Sequence, residues 1–308
     1  MHQPEGGSHG EPPYRKIVAA TLIALLPLFV FTDVAAAPLA TTIAAFAIVL
    51  FGLPHGAFDL NVLVGDADDG LTKRLAMLAA YLGMMAIAGL VWIYAPAAAL
   101  LLFMIMAAIH FGEDWDMIEP GLMRHAAGFS IIAVVTLTSP DTVEAIFAQL
   151  AGPVFAQWFT RAFYMVAPVA GLMTIIALVM AVQSGHVFWA VGQGLALVIA
   201  MLVPPVVGFA VYFVIVHSMM HLTTARRILA QWPISRFLAQ GLVISGVCGI
   251  AALGLNGWHF AQPVDQALPV LVFQILAILT VPHLLLTHGW LPLPRFLTSA
   301  MPRLTGSV

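Results

Sequence analysis

Charge is nearly missing from ten long tracts of this chain, at roughly residues 16–32, 37–54, 74–95, 96–112, 123–139, 162–183, 187–203, 205–223, 237–256 and 267–288. Each is close to the roughly 20 apolar residues that a helix needs to cross a bilayer, and lipid admits only segments that satisfy their own backbone hydrogen bonds. Of 308 residues, 8% are charged and 62% hydrophobic, where ordinary soluble domains carry roughly a quarter charged. The chain therefore reads as all-α, a polytopic integral membrane helical bundle of about ten transmembrane helices, eight to ten. Pro204-Pro205 alone divides the seventh tract from the eighth, so those two could also form one kinked helix. Between the fifth and sixth tracts, "SPDTVEAIFAQLAGPVFAQWF" predicts an interfacial segment.

The basic residues orient these tracts. With the N-terminus inside and ten spans, Arg15, Lys16, Lys73, Arg74, Arg124, Arg226, Arg227, Arg236, Arg295 and Arg303 fall inside and Arg161 alone falls outside. That asymmetry is what the positive-inside rule requires. Merging the seventh and eighth tracts would spoil it. A multi-pass protein of the cell (inner) membrane with both termini in the cytoplasm is expected.

The ends of the chain differ in kind. Residues 1–15, polar and rich in Gly and Pro, predict a disordered cytoplasmic tail. Residues 16–290 predict a single transmembrane domain, and residues 291–308 a cytoplasmic C-terminal tail. Net charge is −3 and no basic arm is present, which points to no nucleic-acid partner. One cysteine, Cys248, permits neither an intrachain disulfide nor a cysteine-based metal cluster.

The histidines carry the chemistry. His55 ends the second tract, and His110 the fourth. His217 and His221 lie in the last turns of the eighth, and His283 and His288 end the tenth. These tracts are all even-numbered, so their histidines gather at one depth near the cytoplasmic face. A single intramembrane histidine is satisfied by an interhelical hydrogen bond; a set from four helices at one depth points to a metal site. His217 and His221 are spaced i, i+4 and share a helix face. Neutral imidazole suits Fe, Zn, Cu and Ni. Asp59, four residues after His55, is either a solvated loop acid or a partner for a ligand's ring N–H. Glu113, Asp114 and Asp116 form a wet turn, from which Glu113 or Asp114 is the candidate for the same service. His283 could be a further ligand, a hydrogen-bonding neighbour or a packing residue, and His288 lies closest to the loop. His125, His186 and His259 read as structural, and His2 and His9 as solvated.

Together "GLPHGAFD", "HFGEDW", "HSMMH" and "VPHLLLTH", in this order on a polytopic chain, resemble the Brp/Blh family of membrane-bound β-carotene 15,15'-dioxygenases of bacteria and archaea. The resemblance covers roughly residues 17–290. It implies central cleavage of β-carotene by O2 to two molecules of retinal at a non-haem Fe(2+). The implied ligands are His55, His110, His217 and His221, with His283 close to the metal as a further ligand or a neighbour of one. Ten spans exceed what the family core calls for by one or two, and the excess is expected at the N-terminus.

Other readings remain beside it. A membrane di-iron hydroxylase or desaturase needs about eight histidines with HxxHH boxes, and this chain has one HxxxH and no HxxHH. An intramembrane metal transporter would spread polar groups along a path across the bilayer. A zinc protease lacks its HExxH. A bis-histidine haem protein is left open by spacing. A retinal-binding pigment would need a lysine within a span, and Lys16 and Lys73 both lie at span ends.

Overall fold

The structure, a computed structural model, describes residues 11–59, 61, 71–119, 121–255 and 264–287. Among the described residues there are helices and no strands. Helix α1 is Pro13–Phe31. Helix α2, Pro38–Ala47, runs on through a π-helical turn, Ile48–Gly52, into a 3-10 turn, Leu53–Phe58. There follow α3 (Leu71–Tyr94), α4 (Pro96–Glu113), α5 (Gly121–Thr138), α6 (Pro140–Ala151), α7 (Pro153–Gln183) and α8 (Val187–Leu202). Helix α9, Pro205–Ala210, passes through a π-helical stretch, Val211–Ser218, into α10, Met219–Ile228. Last come α11 (Ile234–Leu255) and α12 (Val264–Thr287).

Proline sets many of these boundaries. It occupies the first turn of α1, α2, α4, α6, α7 and α9. There its missing N–H costs nothing and its fixed φ suits a helix start, while the residue before it is pushed out of the helix. Eight helical segments are long and apolar enough to cross a membrane, and Val187–Leu202 and Ile234–Cys248 are shorter apolar helices. At Pro204-Pro205 the chain leaves helical geometry and turns back. A Cβ on Gly208 would sit 2.8 Å from the Ala200 Cα, so α8 and α9 form a tight hairpin and the proline pair separates two helices.

One boundary differs from expectation. The segment between the fifth and sixth tracts is divided. Residues 140–151 form the short helix α6, whose buried Val143, Phe147 and Leu150 share one face. Residues 153–159 instead belong to α7, a continuous helix of 31 residues. Gly152, at φ 89°, makes the corner between them, a conformation that only glycine adopts without strain.

Burial shows which helices are central. Within an 18-residue apolar stretch of each span, 61% of residues are buried for 205–228 and 56% for 265–285, against 11% for 75–94. The two innermost segments carry His217, His221 and His283. The helices that end in His110 and the His55 turn pack around them. At the periphery, α1 lies along α8, starting from the same end. Both Glu11 carboxylate oxygens accept backbone N–H groups of the first turn of α8, from Phe188 at 2.7 Å and Trp189 at 3.0 Å. Arg15 reaches the His186 Nδ1 at 3.0 Å beside them.

Candidate metal centre

Four of the histidines expected to converge do so. His110 is central: its ring centroid is 4.6 Å from that of His217, 5.2 Å from His221 and 4.9 Å from His283. The rings of His217 and His221 are 4.5 Å apart. One ring nitrogen from each of His110, His217 and His221 lies within 4.8 Å of the others. Two nitrogens bound at roughly 2.0–2.1 Å to one ion stand about 3 to 4 Å apart, so the trio is close to a shared ion's geometry. His283 borders the trio and does not belong to it. The backbone of His55 lies in the 3-10 turn; its side chain lies outside the described residues, as does His288. That turn borders the cluster, because a Cβ on Gly56 would stand 3.7 Å from both Asp59 Oδ2 and His283 Nδ1.

Each buried ring has a carboxylate behind it. Glu113 Oε2 is 3.1 Å from His110 Nδ1. Asp114 takes His217 Nδ1 at 3.0 and 3.1 Å through its two oxygens, and its Oδ1 is 3.7 Å from His221 Nε2. Asp59 Oδ2 is 2.7 Å from His283 Nδ1. A carboxylate at Nδ1 draws the ring proton there and puts the lone pair on Nε2, the tautomer that a metal ligand needs. The two acids that the sequence left as alternatives thus serve different histidines. Burial pushes the Asp114 carboxyl up, but the His217 ring with its hydrogen bonds and the neighbouring His221 ring outweigh it and hold the group at about 2.

Imidazoles backed by carboxyl groups, those of Asp114 and Asp59 buried, form a shell suited to a cation. The donor set therefore fits a metal ion of the kind that imidazole favours. His110, His217 and His221 would hold it, with the turn of His55 alongside.

Two tyrosines extend these pairs. Tyr212 donates its hydroxyl to Asp114 Oδ2 at 2.9 Å, and Tyr81 donates to Asp59 Oδ2 at 3.5 Å. Sequence reading missed both. Tyr212 and His217 are five residues apart, on different faces of an α-helix, and the π-helical stretch between them turns both to Asp114. Tyr81 carries no local signal, since only the packing of α3 brings it to Asp59. Aromatic rings fix His217 further. Phe213 stacks on it at 5.4 Å and Phe111 meets it edge-on at 4.9 Å.

The cluster opens into a cavity of about 320 Å³. His110, His283, Tyr81 and Gly56 line it where it meets the metal centre; elsewhere it is walled mainly by aliphatic and aromatic side chains. A second, smaller cavity of about 50 Å³, almost wholly apolar, shares Phe103, Ala107, Phe111 and Phe209 with it.

Residues 46–291 match the model of the family described as beta-carotene 15,15'-dioxygenase. The chain belongs to that family. The match begins within α2, so α1 lies outside it, in keeping with the expected N-terminal excess. A relative from an uncultured marine bacterium (66A03), itself named beta-carotene 15,15'-dioxygenase, is 27% identical over 256 residues, 79% of this chain and 91% of the relative. No solved structure matches. The family's span takes in every histidine and carboxylate of the cluster.

Proposed function

We propose that this chain is an iron(II)-dependent β-carotene 15,15'-dioxygenase of the cell membrane, which cleaves β-carotene centrally with O2 into two molecules of all-trans-retinal. The observation that carries the reading is a histidine trio, backed by carboxylates, at the border of an apolar cavity. Family membership supports the same activity. His55, His110, His217 and His221 are the proposed ligands. Iron held there would supply O2 activation for breaking the central C15=C15' double bond into two aldehydes, a change that balances with one O2 per β-carotene.

The remaining work falls to the chain. Asp114 and Glu113 hold His217 and His110 in the metal-binding tautomer. Phe111 and Phe213 fix the His217 plane. The apolar wall holds a polyene beside the histidines and excludes water, which positioning makes worth many orders of magnitude in rate. His283, tied to Asp59 and facing the cavity, is proposed to border the substrate and not to bind iron. Residues 16–290 are proposed as one catalytic domain, with residues 1–15 and 291–308 as cytoplasmic tails. Convergence of His110, His217, His221 and His283 supports the shared direction of the helices carrying them. The basic-residue count supports placing that end in the cytoplasm.

The test is made in cells that accumulate β-carotene. The parent chain is expected to yield retinal. His217→Ala is expected to yield none and to purify without iron. His283→Ala is expected to keep its iron while losing most cleavage. Intact β-carotene beside a well-expressed, iron-loaded parent would sink the proposal.

A further inference from the structure

Among the described residues, the exposed lining of the cavity beside the histidines lies on one side. Most of its lining is buried or half-buried: Phe103, Ala107 and Phe111 on α4, Phe209 and Phe213 on the segment leading to His217, and Leu276 and His283 on α12. Three lining residues are exposed on the outside of the molecule. Leu78 is 41% exposed and Leu82 is 53% exposed, both on α3, and Val247 on α11 is 61% exposed. Helix α3 packs on α4 and α12, and α11 packs on the 3-10 turn and α12, but among the described residues α3 and α11 scarcely touch each other. The gap between them is the cavity's mouth.

The character of that mouth identifies what passes it. Its rim is aliphatic, and both sides are apolar helices whose outer faces carry further exposed Leu, Ile and Val. Water gains nothing by entering such a passage, whereas a molecule dissolved in the hydrocarbon of the bilayer meets no polar barrier. Inward, the passage ends at Tyr81, His110 and His283. From Leu276 to His283 it follows α12 for about 10 Å at about 1.5 Å per residue. A polyene of forty carbons is far longer than that. A sealed cavity would take one arm of it and give it no way in.

We propose that a long apolar substrate reaches the histidines sideways from the bilayer, through a slot between α3 and α11 rimmed by Leu78, Leu82 and Val247. The products, equally lipid-soluble, leave by the same slot. This deepens the proposed function and rests on it only for the identity of the molecule that enters.

Cys248, the single cysteine, lines the slot and reports on it. The full chain is reconstituted in phospholipid vesicles under nitrogen, with and without β-carotene. Alkylation of Cys248 by N-ethylmaleimide is followed by mass spectrometry. β-Carotene is expected to slow it several-fold. In air, Leu82→Trp and Val247→Trp are expected to raise the β-carotene concentration for half-maximal cleavage roughly tenfold, the scale of forcing an indole into a packed passage. Both should keep the iron content of the parent. Ile87→Trp and Ile250→Trp, exposed on the same two helices and outside the cavity lining, should match the parent.

Unimpaired cleavage by both slot variants, or unprotected Cys248 in a chain that makes retinal, overturns the slot and leaves the proposed activity standing. Protected Cys248 in a parent chain that makes no retinal upholds the slot and overturns the activity.

Discussion

Asp114 is the residue on which the centre most depends. It is fully buried, and it touches His217, His221 and Tyr212 at once. Its charge and its shape can be separated by substitution. Asp114→Asn keeps the volume but removes the anion that draws the proton of His217 to Nδ1. Loss of such a carboxylate commonly weakens metal binding by about 10- to 100-fold. Tyr212→Phe removes one hydrogen bond to a charged group, which contributes about 1.5–3 kcal/mol to stability, and leaves the His217 contact in place. Iron titrations and thermal melts of the two variants should therefore separate. Asp114→Asn should lose iron affinity most, and Tyr212→Phe should lose chiefly stability. Equal iron affinity in Asp114→Asn and the parent would remove Asp114 from the centre.

At the scale of elements, two π-helical stretches meet at the site. Ile48–Gly52 precedes the His55 turn, and Val211–Ser218 contains His217. Ser218 donates its hydroxyl to the Gly52 carbonyl at 3.3 Å, joining them. Gly52 has no room for a side chain, since a Cβ there would stand 2.6 Å from Phe213 Cδ1 and closer still to its neighbour on the ring. Phe213 in turn stacks on His217. Gly52→Ala should therefore cost about 1–3 kcal/mol by overpacking and weaken iron binding through the displaced ring. Gly171→Ala on α7, where a Cβ would meet nothing within 4 Å, should raise stability by about 0.5–1 kcal/mol through helix propensity. Chemical denaturation in mixed micelles with iron counted before and after checks both, and a stable, iron-replete Gly52→Ala would contradict the packing. The helices themselves were legible from sequence because long hydrophobic runs mark them. Convergence of the histidines was legible because span parity puts even-numbered helix ends on one side. The π geometry was not legible. Adding one residue to a helical turn leaves hydropathy unchanged, so nothing in "VYFVIVHS" separates it from an α-helix, and the Tyr212–Asp114 pair stayed hidden with it. Neighbouring Glu113 and Asp114 were both visible as candidates. Their division between His110 and His217 depends on which helix packs on which, and local sequence does not carry that.

For the molecule as a whole, the proposed ligands belong to separate parts of the chain: the 3-10 turn after α2, the end of α4, and the π-helical stretch leading into α10 with the first turn of α10 itself. An ion bound there adds a cross-link between helices that otherwise meet through apolar packing and a few polar contacts, such as Asp114 with His217 and Ser218 with Gly52, and in lipid apolar packing lacks the hydrophobic drive it has in water. Metal binding should then be felt as global stability and not merely as activity. A ligand that binds the folded state only, at a free concentration one hundredfold its dissociation constant, stabilises that state by about 2.7 kcal/mol. Ferrous iron added anaerobically to metal-stripped protein should therefore raise its Tm by several degrees, and a chelator should reverse the rise. His110→Ala and His217→Ala should melt at one temperature with or without iron. Glu11→Gln, which weakens the attachment of α1 to α8 far from the histidines, should lower the Tm with and without iron equally, because the ion and that attachment act on different joints of the bundle. A parent protein whose Tm ignored iron while it still made retinal would mean that the centre is held by the fold before the metal arrives, and that the ion serves chemistry alone.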